Sequence, residues 1–141
     1  MTINEIQDQI VEDFSIFDDW MDRYQQLIDL GNELKPIDEK KRIDQHLIKG
    51  CQSKVWVDAD LVDGKIYFEA DSDAIITKGI VALLIRVLNG QTPKDIIETD
   101  LYFIDKIGLR ENLSPTRSNG LLAMIKQMKL YALAYQAKQG L

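Results

Sequence analysis

The chain has 141 residues, a length that fits one domain built around a single buried core. Hydrophobic residues make up 45% and charged residues 28%, a composition that indicates a folded globular protein and excludes a disordered one. The 23 acidic residues outnumber the 17 basic ones, so the surface repels phosphate backbones and anionic lipids, and neither nucleic acid nor a membrane is expected as a partner.

Two amphipathic helices are predicted at the N-terminal end. Thr2 and Glu5 have the spacing of a capping box, and apolar residues recur behind them at helical intervals. Ser15 is the predicted N-cap of the second helix, and Gly31 is its predicted end. The polar stretch around Pro36 then indicates a connector.

A β-hairpin follows the connector. Residues 55–62 and 66–71 alternate apolar and polar side chains with the period of half-buried strands, and the Asp-Gly pair at 63–64 suits a two-residue turn. Because an isolated hairpin is only marginally stable in water, a third strand is expected, and residues 45–48 are the nearest candidate. On this prediction Cys51 lies in a loop between two strands.

The remainder of the chain is predicted to be helical. Asp73 or Ser72 caps a strongly apolar helix that is expected to be the central one. Thr92 and Ser114 each precede a proline, which marks the start of a further helix. The order of elements predicts an α+β fold: a small antiparallel three-stranded sheet with helices packed on it, in a single domain over residues 1–141.

Cys51 is the only cysteine, so the chain cannot form an internal disulfide. Its neighbours in residues 49–53 are polar or glycine, and this setting without apolar cover is typical of a reactive cysteine. Free cysteine is also among the most buried residue types and often only fills a niche in the core. The local sequence leaves packing and chemistry equally open.

A nucleophilic cysteine needs a nearby positive charge, helix N-terminus or base, because the thiolate is the reactive form. Lys49 is close in sequence, although a loop lysine is usually just a solvated charge. His46, the only histidine, offers a base, but a strand over 45–48 need not bring its ring to the sulfur. Arg117 lies in the first turn of the last helix, where a cation gains nothing from the helix dipole, so another purpose or a surface ion pair is indicated.

Other site chemistries are absent from the sequence. One cysteine and one histidine cannot form a tetrahedral zinc site or hold an iron–sulfur cluster within the chain, and no nucleotide-binding or hydrolase motif occurs. No metal and no cofactor is therefore expected. No apolar stretch approaches the roughly 20 residues that span a bilayer, and residues 1–10 lack the features of a signal peptide, so a cytoplasmic location is expected.

Two segments together resemble the sulfur-acceptor proteins of the SufE family. Residues 50–56 (GCQSKVW), followed beyond the hairpin by 71–74 (DSDA) and 78–79 (KG), are similar to the family's acceptor segment. Residues 113–121 (LSPTRSNGL) are similar to its second signature. Both occur in the expected order and separation, and the resemblance extends over almost the whole chain.

The resemblance implies a compact α+β fold, shared in outline with iron–sulfur scaffold proteins, with the cysteine on a loop at one end of the sheet. It implies that Cys51 takes sulfur from a persulfide on a cysteine desulfurase and passes it to an iron–sulfur cluster scaffold complex. It also implies that the protein stimulates the desulfurase. Pyridoxal phosphate belongs to the desulfurase. The chain is then a sulfurtransferase-like accessory protein rather than an independent enzyme. The sequence leaves open whether it is a monomer or a homodimer.

The resemblance also implies supporting roles around the cysteine. Arg117 matches the family's arginine and is expected to contact the cysteine loop or to stabilise the thiolate or persulfide. Gly50 and Gln52 flank the cysteine in the motif, and Asp73 is expected to restrain the base of the loop. Trp56 and the apolar face of the hairpin are expected to cover the resting thiol.

Two alternatives stay open at this point. The first is a regulatory partner of a desulfurase, in which Cys51 is only structural. The second is an unrelated thiol enzyme with a Cys51–His46 pair. His46 and the Asn119-Gly120 pair depart from the family pattern, which leaves the choice of partner open.

Overall fold

The computed structural model describes residues 1–51 and 53–139, and these contain seven α-helices and two β-strands. The helices are α1 (Ile3–Ser15), α2 (Trp20–Glu33), α3 (Ile75–Leu88), α4 (Pro93–Glu98), α5 (Phe103–Lys106), α6 (Leu109–Asn112) and α7 (Pro115–Gln139). The strands are β1 (Val55–Val62) and β2 (Lys65–Ser72), and two 3-10 turns, Glu39–Lys41 and Asp44–His46, precede them. None of the described helices has the length and apolar character that crossing a membrane requires.

Three of the predicted helix starts are confirmed by their capping hydrogen bonds. Thr2 and Glu5 form the expected capping box, in which each side chain accepts a hydrogen bond from the other residue's backbone N–H. The Thr92 hydroxyl accepts from a backbone N–H in the first turn of α4. The Ser114 hydroxyl likewise accepts from the N–H of Arg117, 3.3 Å away, at the start of α7. Together with the antiparallel hairpin, the helices give the predicted α+β architecture.

Both predicted limits of α2 are wrong. Asp19, not Ser15, caps this helix, because the Ser15 hydroxyl donates to a carbonyl inside α1. The helix also continues through Gly31 to Glu33, because Gly31 serves a helix crossing and not a helix end. A Cβ on Gly31 would lie 2.9 Å from the backbone nitrogen of Gly79 in α3, so the two backbones are in direct contact.

The apolar helix α3 is central, as predicted. Eight of its residues are buried, and it contacts α1, α2, α7 and β2. Six of these eight residues have apolar side chains, so α3 contributes substantially to the hydrophobic core.

The sheet has two strands among the described residues, and the predicted third strand is wrong. β1 and β2 pair along their full lengths in antiparallel register, and Asp63 and Gly64 both have positive φ, as the predicted two-residue turn requires. Residues 45–48 instead contain the end of a 3-10 turn and a single bridge between Leu47 and Trp56.

The free edge of β1 is covered without a strand. Carbonyl groups of alternate residues point to this edge, and each needs a hydrogen-bond donor. The three donors are the Ile48 N–H to the Val55 carbonyl at 2.9 Å, the Tyr131 hydroxyl to the Val57 carbonyl at 3.0 Å, and the Tyr135 hydroxyl to the Ala59 carbonyl at 2.7 Å. One loop amide and two tyrosines of α7 therefore replace the third strand and hold α7 across the hairpin.

Candidate functional site

Cys51 lies in the loop between the Asp44–His46 turn and β1, where the loop runs against α7. The preceding Gly50 has a φ of +94°, in the left-handed region that favours glycine. A Cβ there would lie 3.5 Å from the Ala123 Cβ of α7, an ordinary contact. Backbone conformation, rather than lack of space, therefore requires glycine before the cysteine.

The sulfur of Cys51 packs on Gly120 of α7. The thiol donates a hydrogen bond to the Gly120 carbonyl oxygen, which lies 3.6 Å from Sγ. A Cβ added to Gly120 would lie 3.3 Å from Sγ, which is closer than an ordinary contact, so a side chain at this position would press on the sulfur. The sequence-based expectation that the sulfur lacks cover is wrong, because Cys51 is half-buried.

Trp56, which was expected to cover the thiol, is not among the residues that line the cavity at Cys51. The guanidinium carbon of Arg42 lies 5.1 Å from the centre of the Trp56 ring, so this ring stacks against a cation next to the hairpin. The covering element is instead the first part of α7, which contains the second sequence signature. The two signatures thus meet at Cys51 and Gly120.

Burial raises the pKa of the Cys51 thiol above that of a free cysteine, because leaving water disfavours the thiolate. The Gly120 carbonyl acts in the same direction, since it accepts a hydrogen bond only from the protonated sulfur. In this conformation Cys51 is therefore a protected, neutral thiol.

His46 is not placed as a base for Cys51. Its Nδ1 lies 2.7 Å from the carbonyl oxygen of Lys41, and its Nε2 lies 3.4 Å from a carboxylate oxygen of Asp58 on β1. Both ring nitrogens thus face partners other than the sulfur, which argues against the Cys–His thiol enzyme. Lys49 is exposed, and within residues 1–51 and 53–139 it forms no ion pair.

A cavity of about 380 Å³ opens beside Cys51, between its loop, the start of α3 and the start of α7. Polar side chains in its wall belong to Ser53, Thr77, Ser114, Thr116 and Arg117. The fold therefore brings Arg117 to the same cavity as Cys51. Its side chain is exposed, and no acidic side chain in the described part of the chain pairs with it, so the guanidinium is available to an anion.

Asp73 ties down the base of the cysteine loop. Its carboxylate accepts a hydrogen bond from the Lys54 N–H at 3.0 Å, and its own N–H donates to the Lys54 carbonyl at 3.2 Å. Because these bonds direct Asp73 toward the loop, its predicted role as the cap of α3 is wrong. Ser72 is not that cap either, because Ala74 holds the N-cap position. The Ser72 hydroxyl lies before the helix and accepts a hydrogen bond from the Ala74 N–H.

The remaining predicted site residue is Gln52, which lies outside the described residues. Sequence reasoning gave no role to Gly120 or Thr77. Gly120 lies within the second family signature, but nothing in the sequence indicates its contact with Cys51. Thr77 lines the same cavity from α3, and it lies within an apolar helical stretch that gives no signal of its own.

A buried ion cluster forms at the end of β2. Asp71, at the end of β2, is 3% exposed and pairs with Arg42 and with Lys78, whose Nζ lies 3.4 Å from its carboxylate. This carboxylate joins the connector, the hairpin and α3. Such buried pairs are costly to break, because the remaining charge is left unpaired.

Comparison with known proteins identifies one family. Residues 8–132 match the family model described as SufE, Fe-S metabolism associated domain. The chain is 44% identical over 131 residues to an uncharacterised SufE-like protein of Synechocystis sp., a match that covers 93% of this chain and 82% of that protein. An uncharacterised SufE-like protein of Rhizobium etli is 42% identical over 127 residues, with 86% of each chain covered.

The fold has a counterpart among solved structures. The solution structure of a hypothetical protein from Thermus thermophilus matches with a TM-score of 0.78 at 23% sequence identity, covering 94% of this chain and 96% of that chain. At this identity the likeness supports the fold alone.

Proposed function

The chain belongs to the SufE family, which is associated with Fe–S metabolism, and on this premise we propose that Cys51 is a persulfide sulfur acceptor. The sulfur comes from a persulfide on a pyridoxal-phosphate-dependent cysteine desulfurase and goes on to iron–sulfur cluster assembly. The observation that carries the proposal is the position of Cys51, on a loop beside a cavity that also contains Arg117.

The transfer is an exchange between sulfur atoms. The Cys51 thiol first loses its proton, and the thiolate then attacks the terminal sulfur of the desulfurase persulfide. A new S–S bond forms on Cys51 while the S–S bond of the donor breaks, and the donor cysteine leaves as a thiolate that takes up a proton. The sulfur atom changes carrier without net oxidation, so no redox co-reactant is needed.

The resting geometry supports a carrier that is opened by its partner. Held on Gly120 as a neutral thiol, Cys51 is a poor nucleophile and is also protected from oxidation, which attacks thiolates. Reaching a donor requires the loop to leave α7, which also removes the burial that disfavours the thiolate. We expect desulfurase binding to provide this displacement.

Arg117 has the chemistry for the charged stages. An exposed guanidinium beside the cavity attracts a thiolate or persulfide anion, and its lack of an ion-pair partner in the described residues leaves it free to do so. Removal of sulfur from the desulfurase regenerates that enzyme's cysteine for the next turnover. The carrier mechanism thus includes the expected stimulation of the desulfurase.

The test is incubation with a cysteine desulfurase and L-cysteine, followed by peptide mass spectrometry. We expect the added mass of one sulfur atom on Cys51 in the unmodified chain and no adduct in the Cys51→Ser variant. His46→Ala should load normally, because both nitrogens of His46 face other groups. Absence of the adduct in the unmodified chain would contradict the proposal.

One observation favours the regulatory alternative, in which Cys51 is structural: the neutral thiol fills a fitted contact on Gly120. A Cys51→Ala variant separates the two functions. A carrier loses its stimulation of the desulfurase with this change, whereas a purely regulatory partner retains it.

A further inference from the structure

A second groove, of about 680 Å³, lies between α7 and the segment that leads to Cys51. Residues 44–45 and 47–49 form one wall of this α7 groove, and Ala123, Lys126, Gln127 and Leu130 form the other. Among the described residues, none lines both this groove and the cavity that contains Arg117. The first wall ends two residues before Cys51, so an occupant of the groove touches the segment that carries the sulfur.

The solvent-facing side of α7 beside this groove is apolar. Leu122, Leu130 and Leu133 are 49%, 46% and 51% exposed. At 100° per residue their positions lie within about 80° of one another, so they form one leucine stripe along the helix. Leu130 belongs to both the stripe and the groove. An exposed apolar patch that adjoins a groove is typical of a site where another protein binds.

The charge of this surface is opposite to that of the whole chain. Lys126 lies between the leucines on the same side of α7, and Lys49 stands on the opposite wall of the groove. Both are exposed, and neither forms an ion pair within residues 1–51 and 53–139. Asp44 is the single acid among the described residues of the groove wall, whereas the chain has a net charge of -6. A segment with apolar and acidic side chains is therefore the complementary occupant.

A second copy of the chain fits this surface poorly. In a two-fold pairing of α7 on α7, the leucines of both copies meet when the helices cross near the middle of the stripe. Lys126 lies close to that midpoint, so the two Lys126 side chains would face each other across the axis. Like charges at an interface oppose binding, and two chains of net charge -6 also repel each other at long range.

The sulfur donor is the protein that meets the resting loop. Before loading, Cys51 is a neutral thiol held on Gly120, and a downstream acceptor binds only after the sulfur has arrived. We propose that the α7 groove and the leucine stripe are the docking surface for an apolar, acidic segment of the cysteine desulfurase. This inference rests on the proposed function of Cys51, and it assigns recognition of the donor to a surface outside the cavity.

The test is equilibrium binding of a cysteine desulfurase to the chain without L-cysteine, so that no sulfur is transferred. Leu130→Gln should bind about tenfold more weakly, because a side chain in the centre of the interface loses its apolar contact. Met21→Gln is the matched control: Met21 is 69% exposed on α2, and its replacement should leave the affinity unchanged.

The charge of the surface is tested separately. Lys126→Glu should weaken binding about tenfold at low salt, and most of this difference should disappear at high salt, where the attraction is screened. Lys94→Glu, at an exposed position of α4, changes the net charge equally and should bind like the unmodified chain. Thermal unfolding of each variant excludes a folding defect, because all four positions are exposed.

Weaker binding of both α7 variants, at undiminished Tm and with both controls unchanged, supports the proposal. Unmodified affinity of either α7 variant would overturn it, and so would an equal loss of affinity in the controls. Sedimentation of the chain alone covers the remaining occupant: a dimer that Leu130→Gln dissociates would assign the surface to a second copy and overturn the proposal.

Sulfur loading separates this inference from the function on which it rests. If the desulfurase loads Cys51 but binds the α7 variants as tightly as the unmodified chain, the docking surface is wrong and the carrier function stands. If the desulfurase binds through this surface but leaves no sulfur on Cys51, the docking surface is supported and the carrier function is wrong.

Discussion

Gly120→Ala should release Cys51 from its resting position. The new methyl carbon would lie 3.3 Å from Sγ, so the sulfur must move away from α7 by a few tenths of an ångström. Overpacking of this kind costs roughly 1 kcal/mol or more, and that amount raises the population of the undocked loop about fivefold. Gly120 does not have positive φ, and alanine favours a helix by about 1 kcal/mol over glycine, so α7 itself should not weaken.

The assay is the rate at which iodoacetamide labels Cys51 near neutral pH under pseudo-first-order conditions. Labelling should be about fivefold faster in Gly120→Ala, with an unchanged or higher Tm. Asn119→Ala is the matched control: it alters the same helical turn at an exposed position and should label at the unmodified rate. Equal labelling of Gly120→Ala and the unmodified chain would refute the idea that the Gly120 contact holds the thiol.

Three further predictions concern the thiol, the cavity and the helix crossing. The pH midpoint of Cys51 labelling should lie above that of free cysteine in the same buffer, because burial raises the pKa of the thiol. Since a raised folded-state pKa stabilises docking only at lower pH, docking should weaken as pH rises through that midpoint, and a midpoint at or below that of free cysteine would contradict this. Arg117→Gln should slow sulfur acceptance about fivefold without lowering the Tm, whereas the control Lys94→Gln should accept sulfur at the unmodified rate. Equal rates for Arg117→Gln and the unmodified chain would show that Arg117 takes no part in the transfer. Gly79→Ala should lower the free energy of unfolding in urea by roughly 3 kcal/mol, because the new Cβ would lie 2.1 Å from the Leu27 carbonyl oxygen. An unchanged urea midpoint would contradict this, since it would mean that α2 moves away from α3 without cost.

The features that the sequence predicted correctly depend on short-range chemistry. The capping box of α1, the Thr-Pro start of α4 and the Asp-Gly turn each depend on residues within a few positions of one another. Local hydrogen bonds and allowed φ values decide such features almost regardless of the rest of the fold.

The features that it missed depend on distant partners. A third strand is expected because a lone hairpin is only marginally stable in water, yet two of the three donors that cover the edge of β1 are tyrosine hydroxyls, the first of which lies 74 positions along the chain. The cover of Cys51 is missed for the same reason, since Gly120 is 69 positions away. The family resemblance does associate Arg117 with the cysteine, but the hydrogen bond between Cys51 and Gly120 has no counterpart in local sequence pattern.

A single-turnover transfer tests the central claim most directly. A cysteine desulfurase is first charged with radioactive sulfur from labelled cysteine, freed of excess substrate, and mixed with an equimolar amount of the unmodified chain or of Cys51→Ser. The account predicts that label leaves the desulfurase and appears on the unmodified chain in equal amount, released by a reductant, and that Cys51→Ser acquires none. Label that stays on the desulfurase, or that transfers equally to Cys51→Ser, would contradict it.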